Sequence, residues 1–325
     1  MNGMRSRLHT LAMAVLALCA GYLWGAFSHS RNLWPIEILR QVKDSSLVHA
    51  TDQTIALSQY DSLGRLVFDP YKRQVECPVQ SKETGVLLIM GQSNAANSGQ
   101  KRFTTRYPDR VVNYLDGRCY VASSPLLGGT NHLGEYITPL ADQLVSTGIY
   151  DSVVLIVVAV GGSPISRWQH DGDINEALIP LIKSVHTKYR ITDAIWHQGA
   201  SDVSQKTTTK VYVASFRSLI STLTALRVTA PIFMTIETRG CQDVGWAEDN
   251  PVAIGQRQLI DNEKIFFGAN TDRIVELKDR YDTCHFNEAG QLRTAEAFAD
   301  SISTVKNRVA SKHGAQLPSK YDERL

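Results

Sequence analysis

Five short apolar runs, separated by longer amphipathic stretches, constrain this chain more than any other feature of its sequence. Val86–Met90, Val153–Val160, Ala194–Trp196, Ile232–Ile236 and Ile274–Leu277 are apolar without alternation, the pattern of strands buried on both faces. Between or after them, Thr138–Ser146, Ile174–Lys188, Lys210–Leu226, Pro251–Glu263 and Asn287–Arg308 have helical length and spacing. Alternation of strand and helix predicts an α/β fold, a three-layer sandwich around a central parallel sheet. Ligands of such sheets bind beyond the carboxyl ends of the strands, so the residues that follow each run carry the functional argument.

Composition narrows the classes. Among 325 residues, 34 Lys+Arg against 32 Asp+Glu leave a formal charge of +2. A near-neutral chain has no excess of cations for phosphates, which argues against nucleic acid as a partner. With 43% hydrophobic and 20% charged residues the chain is neither disordered nor a polytopic membrane protein. No internal repeat is present.

The N-terminus reads differently from the rest. Leu8 to Phe27 contains no Asp, Glu, Lys or Arg, and a helix of that length spans about 30 Å, the thickness of a bilayer's hydrocarbon core. Arg5 and Arg7 precede the run, which keeps that end in the cytoplasm, and Tyr22 and Trp24 lie near the far end where an aromatic belt is expected. The expected organisation is a cytoplasmic N-terminus (1–7), a transmembrane signal-anchor (8–27), a membrane-proximal stalk (28–84) packing partly against the domain, a catalytic domain (85–309) and a polar tail (310–325). The domain is then periplasmic or extracellular. A cleaved signal peptide is the competing reading, though the apolar run is long for one. A lipoprotein signal at Leu16–Cys19 is disfavoured by the bulky Leu18 before the cysteine.

Apart from Cys19, four cysteines remain: Cys77, Cys119, Cys241 and Cys284. An even number in an oxidising compartment suggests disulfides, with three connectivities open. Cys77–Cys119 and Cys241–Cys284 are favoured because each joins segments expected to be neighbours; four unlinked buried thiols are the alternative.

Four stretches follow strand ends. Gly91-Gln92-Ser93-Asn94 places a serine at a strand-to-helix turn, although Ala95 stands where the G-x-S-x-G elbow has its second glycine. Val160-Gly161-Gly162-Ser163 allows close backbone approach to a ligand. Trp196-His197-Gln198-Gly199-Ala200-Ser201-Asp202 offers a glutamine amide. Asp282-Thr283-Cys284-His285 places a carboxylate three residues before an imidazole, so that it can fix the ring's tautomer. The chain lacks H-E-x-x-H and zinc-spaced Cys/His clusters, so neither a metal nor an organic cofactor is expected.

In this conjunction and order the sequence resembles the SGNH (GDSL-like) hydrolase superfamily, in particular its sialate O-acetylesterase-like, carbohydrate-esterase branch. GQSNAA at Gly91–Ala96, PLLGG at Pro125–Gly129, VGGSPISRW at Val160–Trp168, WHQGASD at Trp196–Asp202 and DTCHF at Asp282–Phe286 carry the resemblance, over about Val86 to Val309. It implies a flavodoxin-like sandwich with Ser93 as nucleophile, His285 as general base and then acid, and Asp282 orienting His285. It implies an oxyanion hole made by the backbone N–H groups of Ser93 and Gly162 and the Gln198 amide. Two departures stand out. Ala200 replaces the branch's usual Glu, which is expected to loosen the loop aiming Gln198. Asn97 stands where Gly is common, and Asn tolerates a left-handed turn.

The expected activity is removal of O-acetyl groups from a carbohydrate through a serine acyl-enzyme. Asn94, Arg167, Trp168 and His170 are candidates to line the sugar subsite. The alternatives are an O-acetyltransferase acting on an envelope polysaccharide and an inactive carbohydrate-binding module.

Overall fold

Strand β2 (Thr84–Gly91) anchors the architecture. All eight of its residues are buried, because both faces of the sheet are covered. The structure is a computed structural model that describes residues 59–241 and 247–314. The expected membrane helix and the first part of the stalk lie outside the described residues, as do residues 315–325. Among the described residues no helix is long and apolar enough to cross a membrane.

Besides β2 the sheet contains β1 (Gln74–Val75), β3 (Val111–Leu115), β4 (Arg118–Val121), β5 (Ser152–Ala159), β6 (Asp193–His197), β7 (Ile232–Ile236) and β8 (Ile265–Asn270). Their order is β1-β4-β3-β5-β2-β6-β7-β8. From β3 to β8 the neighbours run parallel, while β4 pairs antiparallel with β3 and with β1. The sheet is therefore mixed rather than wholly parallel. The antiparallel edge arises from a two-residue turn at Asp116-Gly117, both at positive φ (46° and 83°), the backbone that joins twisted strands in a tight hairpin.

Alternate residues of β2 sort into two cores. Val86, Leu88 and Met90 pack with Ile174 and Ile182 of one helix (Asp173–Val185) and Phe216 and Leu223 of another (Thr209–Ala225). Leu87 and Ile89 pack on the opposite face with Leu140 and Leu144 (Ile137–Ser146) and Phe298 and Ile302 (Glu288–Gly314). Three layers result, as the period-two geometry of a strand covered on both sides requires. A further helix, Pro251–Leu259, adds Val252 and Leu259 to the first core.

Ile274–Leu277, expected as the last strand, is not one. It spans the end of a short helix (Thr271–Ile274), a connection and the start of a 3-10 turn (Leu277–Asp279). Its apolar residues serve packing instead: Val275 is fully buried, in contact range of Gly290 near the start of the last helix. The sheet's final strand is β8, nine residues earlier. The last helix also continues to Gly314, past the expected boundary at 310.

Residues 59–84 belong to the same compact unit. The Leu66 backbone donates to the Gly129 carbonyl (2.9 Å) and accepts from Gly128 N–H (2.7 Å), and β1 completes the sheet edge. Both expected disulfides are present, Cys77–Cys119 beside β4 and Cys241–Cys284 beside the segment after β7.

Candidate active site

The serine is placed by a close approach of two strand ends. Gly91 ends β2 at φ +145°, and a Cβ there would lie 2.0 Å from the His197 carbonyl oxygen at the end of β6. Only glycine lets these backbones meet. Gln92 N–H then donates to that same carbonyl (3.0 Å), and the chain turns into a 3-10 segment, Ser93–Ala95. Ser93 is 7% exposed and lines a cleft of about 730 Å³. No described group accepts from its backbone N–H.

The imidazole comes from the other end of the chain. A bridge between Arg280 and Phe286 and a bond from Tyr281 N–H to the His285 carbonyl (3.0 Å) close a tight loop. Within it Asp282 Oδ2 meets His285 Nδ1 at 2.7 Å, and Oδ1 accepts from the His285 and Cys284 backbone N–H groups (2.6 and 3.1 Å). Burial pushes the Asp282 carboxyl up, but the hydrogen bonds from His285 outweigh it and hold it below the ordinary carboxylate range. A charged carboxylate on Nδ1 selects the tautomer whose Nε2 can accept a proton. His285 lines the same cleft as Ser93. No hydrogen bond joins the two in this structure; Nε2 has the Cys284 sulfur at 3.8 Å. Cys241 and Cys284 line the cleft too, so the disulfide forms part of its wall beside the imidazole. Their sulfurs and the His285 ring lie within 4.8 Å of one another, but sulfurs bonded to each other are not thiolate ligands.

The floor is completed by Gly162, at φ +69°, whose N–H no described group uses. Gly161 N–H is held by Thr130 Oγ1 (2.8 Å), which ties this loop to the Thr130–His132 wall. Asn97 organises that wall. It is 1% exposed and accepts from Leu126 N–H (2.7 Å) while donating to the Leu126 and Gly129 carbonyls (2.9 and 3.3 Å). Its φ is not positive, so the asparagine stands there for its side-chain bonds rather than for a left-handed turn. Tyr60 and Gly64 supply the outer rim.

A hydroxyl, an imidazole with its carboxylate and two unused backbone donors in one cleft is the equipment for acyl transfer. Residues 83–304 match the family described as carbohydrate esterase, sialic acid-specific acetylesterase. The chain belongs to that family. It is a carboxylic ester hydrolase. No curated protein sequence matches the chain. Among solved structures it is similar to a protein of Arabidopsis thaliana, at 17% identity and TM-score 0.54, over 68% of this chain and 98% of that one. It is also similar to a carbohydrate acetylesterase from Xanthomonas citri (15%, TM-score 0.49, 69% and 57%) and to NanS (15%, 0.49, 71% and 100%). The Arabidopsis structure shows a shared fold.

Several residues expected in the site of this esterase are elsewhere. Gln198 is fully buried and outside the cleft lining. Its Nε2 donates to the Ser163 carbonyl (3.1 Å) and to Asp202 Oδ2, and its Oε1 accepts from Tyr212 Oη (3.0 Å). Both amide hydrogens are spent on the protein, so Gln198 braces the loop that carries Gly162 and is not an oxyanion donor. Ala200 accordingly does not loosen this loop, because Asp202, Tyr212 and Gln256 Nε2 (2.8 Å to the Gln198 carbonyl) hold it. Trp168 is fully buried, edge-on to Trp196, with Nε1 bonded to Ser163 Oγ (3.0 Å). Arg167 pairs with Asp173 (2.6 Å) and His170 with Asp171 (2.8 Å), away from the cleft lining. The segment after the glycines turns over the sheet face to fill the core, which takes all three from the expected sugar subsite.

Asn94 is also buried, donating to Glu237 Oε1 at 2.6 Å. Glu237 and His197 are both fully buried, with Nε2 and Oε1 3.4 Å apart, and His197 Nδ1 lies 3.0 Å from Tyr136 Oη. Burial pushes the Glu237 carboxyl up, but His197, the Arg280 charge and the Asn94 amide bring it below its ordinary value. This cluster underlies both the serine turn and the histidine loop, since Arg280 also donates to the Cys284 carbonyl. Sequence reasoning left Glu237 out; it directly follows the last residue of a recognised strand, Ile232–Ile236, but nothing local marks a buried carboxylate.

Proposed function

We propose that this esterase is an extracytoplasmic enzyme removing O-acetyl groups from a carbohydrate through a Ser93–His285–Asp282 acyl-enzyme mechanism. The observation that carries the reading is the Asp282–His285 pair opening onto the cleft whose floor bears Ser93. Ser93 Oγ attacks the acetyl carbonyl as His285 Nε2 takes its proton. The sugar oxygen leaves with that proton, and water, activated by the same nitrogen, releases acetate. Asp282 stays ionised and stabilises the imidazolium. The Ser93–His285 contact is completed with substrate bound, as catalytic hydrogen bonds commonly tighten in the Michaelis complex. The half-open cleft, with Tyr60 and His132 on its rim, suits a small acyl group entering and a polar sugar remaining outside.

Export is supported by the uncharged run Leu8–Phe27 behind Arg5 and Arg7 and by two disulfides, which persist in oxidising compartments. The test is acetate release from a panel of O-acetylated glycans, with acetyl transfer to added glycan measured in parallel. Wild type is expected to release acetate to water, and Ser93→Ala to lose this activity while keeping its circular dichroism. A Ser93→Ala chain as active as wild type would remove Ser93 from the mechanism.

A further inference from the structure

With Gln198 turned away, the cleft holds two backbone donors where the acyl oxygen develops charge, Ser93 N–H and Gly162 N–H. A third group is built for the same task. Gln92 is 3% exposed and lines the cleft next to Ser93. Its Oε1 accepts from the backbone N–H groups of Gly199 and Ser201, each at 3.2 Å. Two N–H donors can face only an oxygen, so the amide's orientation is fixed by its partners. Its NH₂ group therefore points away from them, and no described group accepts from it. The Nε2 atom is not among the buried polar atoms left without a partner, so the donor opens onto the cleft, where a ligand can supply its acceptor.

We propose that the Gln92 side-chain amide is the third oxyanion donor of this esterase, hydrogen-bonding the acetyl oxygen as the tetrahedral intermediate forms. The inference rests on the serine-esterase reading above. As Ser93 Oγ bonds to the carbonyl carbon, the π pair moves onto the oxygen while the serine proton passes to His285; Gln92 Nε2 meets that charge. Depth favours the acyl oxygen over the sugar: Gln92, Ser93 and Ala200 are 3%, 7% and 5% exposed and form the floor, whereas Tyr60 at the rim is 40% exposed. Ala200 matters here, because the residue between the two anchoring N–H groups is a methyl group and offers no carboxylate to compete for the amide hydrogens.

The full chain, purified in mild detergent, is assayed with p-nitrophenyl acetate as wild type, Gln92→Glu and Gln92→Met. Glu keeps an oxygen for Gly199 and Ser201 while replacing the donor; Met removes the donor without adding charge. Both are expected to lower kcat about a hundredfold or more, the loss that follows removal of one oxyanion donor. KM should stay within about threefold, and labelling of Ser93 by a fluorophosphonate should slow in proportion, because the phosphonyl oxygen uses the same donors. A Gln92→Met kcat within about threefold of wild type overturns the proposal. So does a loss carried by KM alone, or one that follows the loss of folded protein by circular dichroism. Ser93→Ala separates the two levels: activity retained there removes the serine mechanism itself, whereas inactive Ser93→Ala beside fully active Gln92→Met removes only the role of Gln92.

Discussion

The two disulfides provide a matched pair of perturbations. Cys77–Cys119 and Cys241–Cys284 span 42 and 43 residues, so loop-closure entropy in the unfolded chain assigns each about 4 kcal/mol. The difference between loops of these lengths is negligible, and the double variants Cys77→Ala/Cys119→Ala and Cys241→Ala/Cys284→Ala should lower the urea unfolding free energy by similar amounts. Their effects on catalysis should diverge. The first bridge staples the antiparallel edge of the sheet, outside the cleft lining. The second lies in the cleft wall, one residue before His285, and holds the loop on which the Asp282–His285 pair is mounted. A displacement of about 1 Å in a catalytic group costs on the order of a hundredfold. The second variant is therefore expected to lose about ten- to a hundredfold in kcat under conditions where it is still folded, and the first less than about threefold. Acetate release and urea titration on the same samples measure both. Equal kcat losses in the two variants, or full activity in the second, would refute the argument that this bridge positions His285.

Two further expectations concern buried groups. Glu237→Ala should cost about 1–3 kcal/mol in a urea titration, because it leaves the buried Asn94 amide without its acceptor and removes the carboxylate 3.4 Å from the buried His197 Nε2; Glu237→Gln should cost less. The Glu237 carboxyl is held below its ordinary value, so its contribution is full above the unfolded-state pKa of about 4.3 and is lost as pH falls through the lower folded value. Wild-type stability should accordingly fall more steeply in that acid range than that of Glu237→Gln, and parallel curves would contradict the assignment. Gln198→Ala should lower stability by about 1–3 kcal/mol, through the Ser163 carbonyl, Asp202 and Tyr212 left without their amide partner. A normal unfolding midpoint in that variant would contradict the bracing role.

What could be read along the chain and what could not divides by the range of the interactions. Strands β2, β5, β6 and β7 were legible as uninterrupted apolar runs because both their faces are buried. The hairpin of β3 and β4 carried a readable Asp-Gly turn that the apolar pattern alone passes over. Ile274–Leu277 misled because apolarity reports burial, not conformation, and Val275 is buried from a loop. In the site, Asp282 and His285 are three residues apart, so their pairing is nearly a local property. Trp168 and Asn94 were misplaced for the opposite reason: adjacency to a glycine loop or a nucleophile says nothing about which way a side chain leaves the backbone.

Sequence by itself determined the alternating architecture, the serine turn, the carboxylate–imidazole pair and the family to which they belong, since each is written in periodicity or short spacing. Only the tertiary structure decided which of two glutamines offers its amide to the cleft. Gln198 is captured by Ser163, Asp202 and Tyr212, while the oxygen of Gln92 is captured by Gly199 and Ser201 and its NH₂ is left over. An amide points wherever its strongest partners hold it, and those partners are brought together by packing, not by their order in the chain.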